Sequence, residues 1–238
     1  MAKNWVIPDI HGCHKTLQSL IEYQISPSKH DRLYFLGDYI DRGPASRQVI
    51  DYIMHLQEEG YRIYPLMGNH EDYMLKAYNE ALEQSNFMGI RSAAPIRSAW
   101  KFIGARETLQ SFGIKNPAEI PERYIAWLKG LKLYIELDEH ILVHAGLNFE
   151  TGDPFSDEQA MLWIRDFKPQ PEKIRNKTVI HGHMPINLEL IYHLKDNPSH
   201  KVIDLDNGIY MKNVSGFGNL VAMELGSGDL ATQYNLDL

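Results

Sequence analysis

Hydrophobic and polar positions in the first third of the chain predict strands and helices in alternation. An apolar run at residues 3–7 indicates a short buried strand, and apolar residues recur at helical spacing over residues 17–24. The pattern repeats twice, with strands predicted at 33–36 and 63–67, each followed by a loop rich in Gly, Asp or Pro and then by a helical pattern. This βαβαβα order is typical of an α/β core.

The pattern changes at about residue 85. From 85 to 131, aromatic residues are spread over helical-looking segments, which predicts a helical insertion or cap. These aromatic residues are Phe87, Trp100, Phe102, Phe112, Tyr124 and Trp127. Beyond them, short strands are predicted at 132–137, 141–143, 178–180, 202–205 and 220–225. No repeat or long linker divides the chain, so one domain over residues 1–238 is expected.

Composition narrows the class of protein. The chain has 238 residues, and 44% of them are hydrophobic, which is enough for a substantial core in one soluble domain. No apolar run approaches the roughly 20 residues that cross a bilayer, so a cytoplasmic enzyme without a membrane partner is expected. The formal net charge of -7, with Lys and Arg scattered along the chain, argues against nucleic acid as a partner.

Cysteine usage limits the metal chemistry. Cys13 is the only cysteine, so a thiolate metal cage and an internal disulfide are both excluded. Any metal must therefore be held by His, Asp, Glu or Asn side chains. Cys13 itself is expected to pack in the interior, because a metal site needs no covalent nucleophile.

Five loops concentrate residue types that bind metals. Glycines flank most of these residues and allow backbone turns that other residues adopt only at a cost. Carboxylate oxygens and imidazole nitrogens suit Mn, Fe or Zn. Packing would explain any one loop as well, but five in one chain, with too many donors for one ion, indicate two divalent metal ions. The loops are Asp9-Ile10-His11-Gly12, Gly37-Asp38-Tyr39-Ile40-Asp41-Arg42-Gly43, Gly68-Asn69-His70-Glu71, His144-Ala145-Gly146 and His181-Gly182-His183-Met184-Pro185.

This ordered set resembles the signature motifs of the phosphoprotein phosphatases within the calcineurin-like metallophosphoesterase superfamily. Those motifs read GDxHG, GDxxDRG, GNHE and a later HAG or HGG, and the resemblance extends from Asp9 to His183. Bacterial and phage members of comparable length are the most similar. Pro8 stands in place of the first Gly, which removes no ligand. The resemblance implies an α/β (α+β) fold in which two mixed sheets form a β-sandwich flanked by helices.

The resemblance also implies the metal ligands. They are Asp9, His11, Asp38, Asn69, His144 and His183. The first two would hold one ion, Asp38 would bridge both ions, and the last three would complete the second site. His183 is preferred to His181 because the family's last ligand follows Gly and precedes a short residue and Pro; His181 either packs beside the site or coordinates directly. Manganese is favoured, with iron or zinc as alternatives.

Two arginines are expected to bind the phosphate. A phosphoryl transition state spreads negative charge over its equatorial oxygens, and a planar guanidinium is the fitting complement. Arg42 directly follows the carboxylates of the second motif, and Arg165 lies in a Trp-x-Arg segment similar to that of bacterial members of the family. A surface ion pair is the alternative for Arg165. Asn69 is expected to contact the substrate as well as a metal.

His70 resembles the general acid of the family. The alkoxide that leaves a serine or threonine phosphate is a poor leaving group, so a proton donor is valuable. Asp41 would orient the ring through one nitrogen and favour the imidazolium, and it could stabilise its own loop at the same time. Glu71 is expected to be structural.

These roles favour a two-metal phosphatase that hydrolyses phosphoserine, phosphothreonine and other phosphomonoesters by attack of a hydroxide that bridges the metals. The alternative is a hydrolase of symmetrical dinucleoside tetraphosphates, since relatives with the same motifs cleave these. A non-catalytic binding protein would be marked by loss of a ligand, and every expected ligand is present. The sequence contains no Walker motif, no G-x-S-x-G or H-E-x-x-H motif and no G-x-G-x-x-G after a strand. The expected partner is a phosphoprotein or a small phosphate ester, and the oligomeric state is left open.

Overall fold

Three parallel strands joined by helices form the first part of a five-stranded sheet. The computed structural model describes residues 2–86, 95–197 and 199–238. The register aligns Ile7 with Phe35 and Phe35 with Pro65. The elements are β1 (Asn4–Ile7), α1 (His14–Ser19), a π-helix that continues it over Leu20–Ile25, β2 (Arg32–Phe35), α2 (Ser46–Glu58), β3 (Arg62–Pro65) and α3 (Asn69–Asn86). The predicted βαβαβα order is confirmed.

Two antiparallel strands complete this sheet. They are β8 (Asn219–Glu224), which pairs with β1, and β9 (Leu230–Tyr234), which forms the edge, so the strand order is β3-β2-β1-β8-β9. The sequence predicted β8 but not β9. None of the five residues of β9 is fully buried, because an edge strand packs on few neighbours, and the strand alternates only weakly between apolar and polar residues.

The second sheet contains the remaining predicted strands. They are β4 (Tyr134–Glu136), β5 (His140–Val143), β6 (Thr178–His181) and β7 (Val202–Asp204), in the order β4-β5-β6-β7. The strands β5, β6 and β7 are parallel, and β4 is antiparallel to β5. Each strand is close to its predicted position, although β4 is shorter than the predicted 132–137.

The two sheets pack face to face. Val6 and Val221 of the first sheet and Leu142 and Ile180 of the second belong to one buried cluster. The alternate residue Ile7 points to the opposite face of the first sheet, into the core that the helices cover, as the two-residue period of a strand requires. The predicted two-sheet mixed sandwich flanked by helices is confirmed.

Three α-helices lie in the described part of the segment between α3 and β4. They are α4 (Pro95–Ile103), α5 (Ala105–Phe112) and α6 (Glu122–Lys129). Trp100 and Tyr124 are buried in the same core as the first sheet, whereas Phe102 is 92% exposed. Phe87, the first aromatic residue of the predicted insertion, lies outside the described residues.

Two further helices were not predicted. These are α7 (Glu158–Trp163) and α8 (Leu188–Asp196). Both begin at a polar capping side chain, because Asp157 accepts the N–H of Ala160 and Asn187 accepts the N–H of Glu189. None of the helices in the described ranges combines the length and the apolar character that a bilayer crossing requires.

Candidate active site

The predicted ligand loops all follow strands. Those after β1, β2 and β3 leave one sheet, and those after β5 and β6 leave the other. The carboxyl ends of parallel strands meet at one edge of a sheet, where α/β proteins commonly bind ligands. Several residues in these loops have a left-handed backbone. Their φ angles are 46° at His11, 51° at Asp38, 71° at Asp41, 66° at Arg42 and 75° at His183.

Two groups of three side chains could each hold a metal ion, and they share Asp38. One group is His11, Asp38 and His70, and the other is Asp38, His144 and His183; within each group the donor atoms lie within 4.8 Å of one another. Oδ2 of Asp38 is 3.7 Å from Nε2 of His11 and 3.7 Å from Nε2 of His70. Oδ1 is 3.5 Å from Nε2 of His144. A carboxylate shared in this way can bridge two ions.

Asp9 and Asn69 join this cluster. Both carboxylate oxygens of Asp9 accept the backbone N–H of His183, at 3.1 and 3.2 Å, and Oδ2 lies 3.9 Å from Nε2 of His11. Oδ1 of Asn69 lies 2.8 Å from Nε2 of His144 and 3.1 Å from Nδ1 of His183. The structure therefore brings every predicted metal ligand together, although Asp9 belongs to neither group of three.

Burial favours the uncharged form of three histidines in the cluster. Burial lowers the pKa of His11 and of His144. Burial and the neighbouring His144 lower the pKa of His183 to about 3. An uncharged imidazole offers a nitrogen lone pair to an ion. Nε2 of His183 is also buried without a hydrogen-bond partner in the part of the chain that the structure describes.

The carboxylates of the cluster repel one another. Burial and the charges of Asp206 and Asp38 raise the pKa of Asp9 well above its ordinary value. Burial also raises the pKa of Asp206 to about 7, and its Oδ2 is buried with no hydrogen bond to any described residue. Burial opposes the ionisation of Asp38, but His144 and His70 hold the pKa of Asp38 below its ordinary value. Crowded carboxylates beside neutral imidazoles fit divalent cations.

His70 differs from the other histidines because it is paired with Asp41. Nδ1 of His70 lies 2.7 Å from Oδ2 of Asp41 in a fully buried contact. Burial alone would lower the pKa of His70, but Asp38 and the hydrogen bond to Asp41 raise it. Nδ1 is thus held by Asp41 while Nε2 lies on the side of Asp38. This geometry suits the predicted proton donor, and it also makes Nε2 available to a metal.

The two predicted phosphate clamps lie beside the cluster. The guanidinium of Arg42 is half-buried and lies 3.8 Å above the ring of Tyr210. Arg165 is exposed just after α7 and is close enough to His183 to lower its pKa, after burial and the other neighbouring charges. Neither arginine forms an ion pair with a carboxylate of the described residues, so the structure does not support the alternative of a surface ion pair for Arg165.

Sequence reasoning missed a sixth loop, which follows β7. Oδ1 of Asp206 accepts the N–H of Gly208 at 2.7 Å. The ring of Tyr210 contacts the ring of His11, with 5.2 Å between centroids, and supports Arg42. The signal was present in the sequence, because Asp206-Asn207-Gly208 follows a predicted strand just as the motif residues do.

Three further residues lie in or next to these loops, namely Glu71, Cys13 and His181. Glu71 accepts the backbone N–H groups of Asp38, Tyr39 and Gly68 at 2.8 to 3.0 Å, as its predicted structural role requires. Cys13 is fully buried in the core, and burial raises the pKa of its thiol to about 12, so the predicted packing role is confirmed. His181 is buried, with its ring against Phe167, and belongs to neither group of potential ligands among the described residues.

Gly68 lies so close to Asp38 that a side chain there should disturb the cluster. A Cβ at this position would lie 2.2 Å from Oδ1 and 2.4 Å from the backbone N of Asp38. We expect Gly68→Ala to lower the free energy of unfolding by about 1–3 kcal/mol, because overpacking forces the backbone apart. It should also weaken Mn binding. Urea unfolding of the metal-free protein and calorimetric titration with Mn measure the two effects.

The matched control for this variant is Gly152→Ala. Nothing lies within 4 Å of a Cβ at Gly152, and its φ is not left-handed. Unfolding of both variants at the same urea concentration would contradict the prediction.

Comparison with known proteins gives the family. The model for calcineurin-like phosphoesterases matches residues 2–211. A symmetrical bis(5'-nucleosyl)-tetraphosphatase of Buchnera aphidicola subsp. Schizaphis graminum is 28% identical over 147 residues, 60% of this chain and 44% of that protein. The chain therefore matches less than half the length of this curated relative.

Solved structures agree on the fold. A crystal structure of a candidate diadenosine tetraphosphatase has a TM-score of 0.60 at 19% identity, covering 97% of this chain and 92% of that one. A cold-active protein-tyrosine phosphatase of a psychrophilic Shewanella species has a TM-score of 0.59 at 16% identity, covering 98% and 80%. The narrower resemblance to phosphoprotein phosphatases is not confirmed, since the curated relative carries another name. The chain belongs to the calcineurin-like phosphoesterase family.

Proposed function

We propose that this chain is a metal-dependent phosphohydrolase that acts on dinucleoside polyphosphates. Diadenosine tetraphosphate and water would give two ADP by cleavage of the central phosphoanhydride. The observation that carries the reaction class is the pair of donor groups that share Asp38, one of which contains His70, whose ring is held by Asp41. The substrate class is supported by the relative named symmetrical bis(5'-nucleosyl)-tetraphosphatase.

The proposed ligands follow the family motifs. Asp9 and His11 would hold one divalent ion, Asp38 would contribute to both sites, and the remaining predicted ligands, Asn69, His144 and His183, would hold the other ion. When bound, such a metal pair would lower the pKa of water and neutralise charge on phosphate oxygens. Manganese is the ion proposed for activity in vitro, and iron or zinc are the alternatives.

The chain's own groups bind and orient the polyphosphate. Arg42, which packs on the ring of Tyr210, and the exposed Arg165 neutralise phosphoryl oxygens. The amide oxygen of Asn69 faces His144, which leaves its NH₂ group for the substrate. His70 presents Nε2 to the leaving oxygen, because Nδ1 is held by Asp41.

The second candidate function is hydrolysis of phosphoserine or phosphothreonine. The buried His70–Asp41 pair favours it. A departing serine alkoxide is a strong base that needs a proton, whereas a departing nucleoside diphosphate is a weak base and gains less from an acid. A buried proton donor therefore suits the hydrolysis of a phosphomonoester at least as well as that of a phosphoanhydride.

The test is hydrolysis of three substrates side by side by the purified chain. Diadenosine tetraphosphate, a phosphoserine peptide and a phosphotyrosine peptide are each incubated with added Mn and with chelator. We expect Mn-dependent turnover, with the largest kcat/KM for the dinucleotide and ADP as its only nucleotide product by anion-exchange chromatography.

Other outcomes would separate the candidates. Higher kcat/KM on the phosphoserine peptide would favour the second function, and AMP with ATP as products would contradict symmetrical cleavage. No Mn-dependent hydrolysis of any substrate would overturn both functions. The Asp38→Asn variant, purified in parallel, controls for a contaminating phosphatase.

A further inference from the structure

Asp41 is anchored by the helices between β3 and β4. Its side chain is fully buried, and both carboxylate oxygens have partners. Oδ2 accepts from Nδ1 of His70 at 2.7 Å and from Nε1 of Trp100 at 2.8 Å, and Oδ1 accepts from the hydroxyl of Thr108. Trp100 lies in α4 and Thr108 in α5. Two of the three side-chain donors to Asp41 therefore come from this helical segment.

We propose that Trp100 and Thr108 are positioning residues, which fix the plane of the Asp41 carboxylate and through it the ring of His70. The inference rests on the proposed function only for the chemical role of His70. A carboxylate bound by one donor can rotate about its Cβ–Cγ bond, whereas donors on both oxygens hold its plane. The ring of His70, which shares Oδ2 of Asp41 with Trp100, is then held with its Nε2 in one direction.

The hydroxyl group of Thr108 uses its proton and both of its lone pairs in hydrogen bonds. Its hydroxyl oxygen accepts the backbone N–H of Asp41 at 2.9 Å and contacts Oγ of Ser46 at 3.0 Å. A hydroxyl has one proton and two lone pairs. With its proton on Asp41, Thr108 accepts from Ser46, and Ser46 in turn accepts the N–H of Asp41 at 3.0 Å. Thr108 thus holds both the backbone and the side chain of Asp41.

The backbone of the helical segment also fits closely against this loop. Gly104, with φ of 131°, separates α4 from α5. A Cβ at Gly104 would lie 2.8 Å from the backbone N of Arg42 and 2.8 Å from Cβ of Asp41. Only a glycine allows the junction to approach a loop whose own residues are left-handed.

A packing role alone does not account for the direction of the Trp100 N–H. The indole nitrogens of Trp5 and Trp163 are buried without a partner among the described residues, so burial in this fold does not by itself bring an indole N–H to an acceptor. Trp127 donates to the neutral Gln57 at 3.0 Å. The Trp100 N–H, in contrast, meets the carboxylate that holds His70.

The first test is a double-mutant cycle with Trp100→Phe, Thr108→Val and His70→Asn on the Mn-loaded full chain. We expect each of the first two variants to lower kcat on phenyl phosphate roughly tenfold, because each removes a hydrogen bond to a charged group. The loss on 4-nitrophenyl phosphate, which has a better leaving group, should be smaller. In the His70→Asn background either substitution should change kcat by less than about twofold.

Two control variants accompany the cycle. Trp127→Phe removes an indole hydrogen bond in the same segment and should leave kcat unchanged. Thr108→Ser keeps the hydroxyl and should restore most of the activity that Thr108→Val loses. Equal losses in the wild-type and His70→Asn backgrounds would overturn the proposal, since they would report general damage to the fold. If Trp100→Phe fails to fold, the Val and Ser variants of Thr108 decide the matter.

The second test needs no activity. In metal-free protein labelled with ¹⁵N-histidine, the Nδ1 proton of His70 reports its hydrogen bond to Asp41. Trp100→Phe and Thr108→Val should shift or broaden this signal, and Trp127→Phe should not. An unchanged signal would overturn the positioning role even if the wild type is an active hydrolase. A shifted signal in a chain that hydrolyses neither diadenosine tetraphosphate nor a phosphomonoester would support the anchoring and overturn the proposed function instead.

Discussion

Replacement of His70 by asparagine is expected to lower kcat by about a hundredfold or more on a phosphoserine peptide or phenyl phosphate, because general acids typically contribute this much. On diadenosine tetraphosphate the loss should be smaller, since a departing nucleoside diphosphate needs less help from a proton. Both metal equivalents should remain bound. Steady-state kinetics on the two substrate classes and metal analysis by mass spectrometry measure the three quantities.

The same experiment separates the two roles that the geometry allows for His70. Its Nε2 lies 3.7 Å from Asp38 and could serve as a proton donor or as a metal ligand. Loss of one metal equivalent, with equal loss of kcat on all substrates, would contradict the acid role and favour ligation. His193→Asn is the matched control, since His193 is exposed on α8.

Asp38→Asn is expected to abolish binding of both metals at micromolar concentration and to lower kcat/KM by about a thousandfold or more. Asn keeps the shape of Asp and can still accept the backbone N–H of His70, now 3.1 Å from Oδ1. It removes the charge that both donor groups share. A metal pair supplies several kcal/mol of transition-state stabilisation, which corresponds to about three orders of magnitude in rate.

The control for Asp38→Asn is Asp229→Asn, which removes a carboxylate near the turn between β8 and β9. Circular dichroism of both variants tests folding. If Asp38→Asn retained two metal equivalents and full activity, Asp38 would not be a bridging ligand.

The strands that carry the site could be predicted because their sequence signals are local. Buried strands such as β1 and β2 are short, largely apolar runs closely followed by Pro8-Asp9 and Gly37-Asp38, and the helices after them have a clear apolar face. The edge strand β9 and the short helix α7 lack such signals. Their positions depend on pairing with β8 and on the cap at Asp157, which a hydrophobic pattern does not report.

The residues of the site likewise fall into those that local motifs predict and those that they do not. The predicted metal ligands lie in the signature motifs, so the resemblance names them, and the structure brings them together. Contacts that join distant parts of the chain could not be predicted. Trp100 and Thr108 lie 59 and 67 residues from Asp41, and nothing in their local sequence points to it. Whether each predicted ligand binds an ion stays a prediction that the variants above test.

The left-handed residues of the site link folding to catalysis. Five residues of the site have positive φ angles, from 46° at His11 to 75° at His183. Each such residue costs on the order of 1 kcal/mol of folding free energy, in a protein class whose total stability is only about 5–15 kcal/mol. The rest of the molecule has to hold these conformations before any ligand arrives. Attempts to evolve new substrate specificity in this chain would therefore begin best from a variant whose two sheets had first been made more stable.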